Sequence, residues 1–68
     1  MGIKYPYTAW GCEVKMKINM LGWTQNDVAE KAGTTYYKVS RLIRGIYKED
    51  ALEKKIDAIL NKALSKAS

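Results

Sequence analysis

The chain has 68 residues, 47% of them hydrophobic, with a net charge of +5, one cysteine and no histidine. So short a chain buries only about 60% of its unfolded surface, which limits it to one domain built from a few efficiently packed elements, and its apolar fraction excludes wholesale disorder. The lone Cys12 excludes an internal disulfide, and without histidine a structural zinc site is excluded too, so a reducing, cytoplasmic setting is expected.

Residues 1–8 contain Pro6 and no helical period and read as an extended N-terminal arm. The opening MGIKYPYTAW lacks a signal peptide's apolar stretch, and no apolar run approaches the roughly 18 residues of a membrane span. Residues 9–68 read as the single domain. Thr8 is placed to cap a first helix running to about Leu21, with Val14, Ile18 and Leu21 on one face and Trp10 a turn earlier. Residues 14–20 also alternate apolar and polar as a strand would. No other segment alternates comparably, and an isolated strand lacks a partner, so the helix is preferred.

Gly22 ends that helix. Thr24 starts a second, with Asp27 in the position of a capping-box acid. Val28, Ala29 and Ala32 give it a narrow apolar face, and Gly33 stops it with an expected positive φ. Thr35 is a good N-cap for a third helix over residues 36–44, closed by Gly45, and residues 46–49 form a loop. Asp50 is the expected cap of a last helix over about 50–66. There Leu52, Ile56, Ile59, Leu60, Ala63 and Leu64 make the clearest amphipathic stripe in the chain. The expected class is therefore all-α, a compact bundle of four or five helices.

The third helix is chemically distinctive. From Tyr36 to Lys48 there are four cations, Lys38, Arg41, Arg44 and Lys48, and no acid, whereas residues 50–68 carry four lysines against three acids. The positive excess is local, and its natural partner is a polyanion. At about 100° per residue, Val39, Leu42, Ile43 and Ile46 cluster on one face. Tyr37, Arg41 and Arg44 lie nearly opposite, with Ser40 beside them and Tyr36 on the flank.

Residues 25–44, QNDVAEKAGTTYYKVSRLIR, form a unit. Ala29 is small where a second helix must cross closely, Gly33 permits a tight reversal, and Val39 and Leu42 are knobs that seat the second helix on the first. These are the demands of a helix-turn-helix, which holds its second helix outward for a DNA major groove. The stretch GWTQNDVAEKAGTTYYKVSRLIRG resembles the Cro/C1-type (Xre-like) helix-turn-helix of phage and mobile-element repressors, whose usual line is GxTQxxLAxxxGxxxxxxSxxxxG. Gly22, Thr24, Gln25, Ala29, Gly33, Ser40 and Gly45 match it directly, and Val28 replaces the common Leu. The likeness extends weakly over about residues 10–60. Position 34, usually apolar, is Thr here, and Ile18 and Ile43 stand where relatives often place a buried Arg and Glu.

The resemblance implies a lambda-repressor-like DNA-binding fold, with the motif at about 25–44, and a cytoplasmic, homodimeric transcriptional regulator of the repressor type. Gln25 would touch backbone phosphate and brace the recognition helix. Thr35, Tyr36, Tyr37 and Arg41 fall where the family faces the groove, and Arg44, Tyr47 and Lys48 fall near the phosphate-contacting loop. Lys38 points sideways and suits either phosphate or solvent; Ser40 suits phosphate or close packing; Tyr36 fits either a base contact or a half-buried flank. Trp10 and Trp23 read as core or lid residues, and Cys12 as an inert small residue.

The expected partners are double-stranded DNA and a second copy of the chain, with no membrane, cofactor, metal or small-molecule substrate. An enzyme is not expected, because the sequence offers no histidine, no convincing nucleophile–base pair and no phosphate-cradling glycine loop. The alternative is the same scaffold used as a protein-binding module of the antirepressor or antitoxin kind, for which an aromatic-plus-arginine surface is equally suited.

Overall fold

The computed structural model describes residues 7–67, which fold as four helices: α1 (Ala9–Leu21), α2 (Gln25–Ala32), α3 (Tyr36–Arg44) and α4 (Asp50–Ala67). No strand occurs among the described residues, so the alternating stretch in α1 is helical. Most of the expected arm lies outside the described residues. Of its last two members, Tyr7 is half-buried against the core and Thr8 begins α1.

Each of the first three helices is opened by a threonine and closed by a left-handed glycine. The Thr8 hydroxyl accepts from the Gly11 amide at 2.9 Å, and the Thr35 hydroxyl from the Lys38 amide at 3.2 Å. At α2 the box is reciprocal: Thr24 Oγ1 accepts from the Asp27 amide at 3.1 Å while the Thr24 amide donates to the Asp27 carboxylate at 2.9 Å. Each arrangement satisfies amides that a helix start would otherwise leave without partners. Gly33, at φ 72°, reverses the chain between α2 and α3, and the Thr34 amide donates back to the Ala29 carbonyl at 2.9 Å. Thr34 is thus held by its backbone, and a polar side chain there leaves the reversal intact.

α4 differs from expectation at its start. Asp50 is the first helical residue and is exposed; the Glu49 carbonyl accepts the first helical bond, from the Glu53 amide at 3.0 Å. Asp50 therefore sits inside the helix, where its charge complements the positive end of the helix dipole, and is not its cap.

The core is assembled from all four helices. Val14 and Ile18 of α1 meet Val28, Ala29 and Ala32 of α2, Val39, Leu42 and Ile43 of α3, and Leu52, Ile56 and Leu60 of α4. Ile18 and Ile43 are both buried; an apolar pair occupies these sites without the desolvation penalty of a buried ion pair. Leu21, Trp10, Trp23 and Ile59 close the edge of this core as half-buried residues. The Trp10 indole N–H donates to the Asp57 carboxylate at 2.9 Å and the Lys17 ammonium to Asn61 at 3.0 Å, which clamps α4 along α1.

Ile46 departs from the expected apolar face: it is 65% exposed. The left-handed turn at Gly45, φ 80°, redirects the chain after Arg44, so the angular register of α3 does not continue to residue 46.

α1 approaches α3 closely at its start. The Thr8 amide and hydroxyl both donate to the Ile43 carbonyl, at 3.0 and 3.2 Å. Three residues later Gly11 is buried so closely against the same carbonyl that a Cβ would lie 2.2 Å from its oxygen. Nothing in the hydrophobic periodicity of α1 singles Gly11 out. An isolated glycine inside a helical pattern is nevertheless a signal of close packing.

Candidate nucleic-acid interface

α3 is amphipathic in the most literal way. Val39, Leu42 and Ile43 are at most 1% exposed, and they fix the helix by three side chains on two successive turns. The opposite surface carries Tyr36 and Tyr37, 52% and 63% exposed, together with exposed Thr35, Lys38, Arg41 and Arg44; Ser40 is half-buried beside them. The predicted rotation of α3 over residues 36–44 is therefore observed.

Tyr37 and Arg41, one turn apart, are in contact: the guanidinium carbon lies 4.6 Å from the ring centroid. Among the described residues no carboxylate pairs with Arg41 or Arg44, the salt bridges there being confined to Lys48. Lys38 turns away from this pair. Its ammonium lies 5.9 Å from the Tyr47 ring, and it borders a shallow cleft of about 260 Å³ between the α2–α3 turn and the start of α4, shared with Glu49 and Lys55.

The loop after α3 is less basic than its sequence suggests. Glu49, Asp50 and Glu53 come just after the acid-free stretch, and the fold brings them back onto it. The Tyr47 hydroxyl donates to the Glu49 carboxylate, which, followed by desolvation and the carboxylate's charge, raises the phenol's pKa above its ordinary value. The Lys48 ammonium lies 3.2 Å from Glu53 and 3.5 Å from Asp50. Its pKa is raised above the usual lysine value, first by the hydrogen bond to Glu53 and then by that residue's charge. Lys48 is exposed and retains its charge, but acids already surround it.

Gln25 opens α2. It is half-buried and lines a cleft of about 230 Å³ with Lys15, Asn19 and Trp23. The Lys31 ammonium covers the Trp23 ring at 4.8 Å, so Trp23 acts as an edge of the core shielded by a lysine stem. Cys12 is exposed on α1. No group of three or more metal-ligating side chains occurs among the described residues, and none of their helices is long and apolar enough to cross a membrane.

The expected residues thus divide into three sets. Thr35, Tyr36, Tyr37, Arg41 and Arg44 share the α3 surface, with Ser40 at its edge. Lys38, Tyr47 and Lys48 belong to the junction with α4, and Gln25 belongs to the junction of α1 with α2. What periodicity missed is supporting: the contacts of Thr8 and Gly11 with the C-terminal end of α3, and the engagement of Tyr47 and Lys48 by Glu49 and Glu53.

Comparison with protein-family models, with curated proteins and with solved structures returns no match.

Proposed function

We propose that this chain is a sequence-specific, double-stranded-DNA-binding transcriptional regulator of the lambda-repressor-like helix-turn-helix type. In this proposal α2 and α3 form the motif, α3 enters the major groove, and the protein acts without catalysis as a homodimer in the cytoplasm. The observation that carries it is the two-sidedness of α3: a face fixed by buried Val39, Leu42 and Ile43 backs a face of exposed Tyr37, Arg41 and Arg44 with no acid paired to either arginine among the described residues. Cations left unpaired on a rigid helix suit a partner that supplies the negative charge.

Arg41 would contact base edges with Tyr37 beside it in the groove, and Arg44 would contact phosphate. Thr35, Tyr36 and Ser40 border the groove. Gln25 at the start of α2 and Lys38, Tyr47 and Lys48 at the α4 junction would touch the backbone on either side. One short helix reads few base pairs, so a second copy on a half-site about 34 Å away supplies the rest of the specificity.

Selection of duplexes from a random library at stated salt tests this directly. A two-fold-symmetric winning sequence is expected, with affinity that falls steeply between low and moderate salt, by about 0.9 in log–log slope per phosphate contact. The exposed pair of tyrosines would also suit a protein hot spot. A protein partner bound with nanomolar affinity independent of salt, together with no selected duplex, would replace DNA by that second reading.

A further inference from the structure

Among the described residues four cations rest on aromatic rings, and one of the four differs from the others in kind. Lys15 covers Tyr7 at 4.4 Å, Lys31 covers Trp23 at 4.8 Å and Lys38 faces Tyr47 at 5.9 Å. All three rings are half-buried at the margin of the core, so these lysine stems serve to cover apolar edges. The fourth, Arg41 on Tyr37 at 4.6 Å, stands clear of the core on a ring that is 63% exposed. It covers nothing that needs covering.

We infer that Tyr37 is a positioning residue for Arg41: its ring holds the guanidinium against the surface of α3 so that its N–H donors are presented to a guanine in the major groove. The inference rests on the DNA-binding reading of α3 and names what that surface would read.

The chemistry of the guanidinium supports this division of labour. A carboxylate partner would occupy the N–H groups of Arg41, whereas a ring engages only the planar face and leaves the N–H edges free to donate. A long arginine side chain alone samples many rotamers, and restricting it beforehand lowers the ordering cost of binding. Among the bases, guanine matches a two-donor fork, because its N7 and O6 both accept. Adenine offers one acceptor and one donor at the same edge and so opposes the fork. The spacing fits as well, since residues 37 and 41 are one helical turn apart and therefore neighbours on the same face. The stack uses the ring and not the phenol oxygen. Phenylalanine should therefore replace Tyr37 in this role, and leucine, of similar bulk but without a π-face, should not.

The test uses the full chain and its selected duplex, with the read guanine replaced in turn by adenine and by 7-deazaguanine, which lacks the N7 acceptor. Wild type should prefer guanine by about tenfold or more. Tyr37→Leu should reduce that preference about two- to fivefold, the factor carried by an exposed cation–ring contact, while Tyr37→Phe retains it. In an Arg41→Ala background Tyr37→Leu should change nothing at that base pair. Tyr37 is exposed, so each variant should stay folded, with a thermal midpoint within a few degrees of wild type. Undiminished preference in Tyr37→Leu, or equal loss in Tyr37→Phe, overturns the positioning role. Guanine preference that survives Arg41→Ala also overturns it and leaves DNA binding standing. Failure of wild type to select any duplex removes the DNA-binding reading and this inference together.

Discussion

Replacing Gly11 by alanine sets two rules of helix chemistry against each other. Alanine is the better helix former by about 1 kcal/mol, so propensity alone makes Gly11→Ala stabilising. The contact with α3 opposes it: the new Cβ would lie 2.2 Å from the Ile43 carbonyl oxygen and 2.8 Å from its Cγ2. The oxygen belongs to the backbone and cannot rotate away, so α1 and α3 must separate, at an overpacking cost of about 1–3 kcal/mol. Separation also lengthens the two hydrogen bonds from Thr8 to that carbonyl, now 3.0 and 3.2 Å, each worth about 0.5–1.5 kcal/mol. After subtracting the propensity gain, the net loss is about 1–5 kcal/mol if both bonds are given up. A domain of this size has only about 3–10 kcal/mol of stability in all. At about 4–8 °C per kcal/mol, the midpoint should fall by at least about 4 °C and by tens of degrees at the upper end of that range. Thermal unfolding followed by far-ultraviolet circular dichroism measures it. Asn19→Ala, at an exposed position of the same helix, serves as the control and should raise the midpoint slightly. A midpoint that rises for Gly11→Ala as it does for Asn19→Ala would refute the close approach of α1 to α3.

Thr24→Ala removes half of the reciprocal cap of α2 and should cost about 1 kcal/mol in chemical denaturation, with an unchanged denaturant slope. If α3 binds DNA as proposed, Arg44→Ala should flatten the salt dependence of binding by about 0.9 for each phosphate it no longer neutralises. Lys48→Ala, whose ammonium is already held by Asp50 and Glu53, should weaken binding to all sequences alike and flatten the dependence less than Arg44→Ala does; equal slopes for the two variants would contradict this. The raised pKa of Tyr47 means that the folded chain keeps the phenolic proton to higher pH than the unfolded chain does. The associated stability is present below the ordinary value of 10.0 and is lost as pH rises through the folded value. Denaturation midpoints measured across this range should decline less steeply in Tyr47→Phe than in wild type.

Local chemistry made the helix boundaries legible and tertiary chemistry hid the rest. Thr8, Thr24 and Thr35 announce helix starts because a side-chain oxygen satisfies an amide two or three residues on, and Gly22, Gly33 and Gly45 announce ends because each takes a positive φ. Both signals act within one turn and can be read without knowing the fold. The face of α3 was legible for the same reason, since a single helical period orders Val39, Leu42 and Ile43. That period misplaced Ile46, which lies beyond the left-handed Gly45. Charge counting along residues 36–48 likewise missed that Glu49 and Glu53 fold back onto Tyr47 and Lys48. Gly11 was illegible to periodicity because its reason lies 32 residues away, at the Ile43 carbonyl.

The start of α3 is where stability and the proposed function pull apart most visibly. α2 and α3 use the same threonine cap, but the residue three positions after it is Asp27 in one and Lys38 in the other. At that position an acid completes the reciprocal box and complements the helix dipole, whereas a lysine does neither. Arg41 follows at the next same-face position, and a helix of 9 residues has little intrinsic stability to set against like-charge repulsion. Lys38→Glu reverses each of these terms. It allows a bond back to the Thr35 amide and an acid–arginine pair with Arg41, and it gives up only the distant ring contact with Tyr47. The new carboxylate would share its cleft with Glu49 but also with Lys55, so the net gain should be about 0.5–1 kcal/mol. Thermal unfolding should show a midpoint several degrees above wild type, while affinity for the selected duplex falls. A variant that loses stability would show that the lysine is held there by packing. One that gains stability and keeps its DNA affinity would show that the start of α3 stands outside the binding surface. The expected opposition of the two effects is what a helix start leaves behind when its charge serves a partner and not the fold.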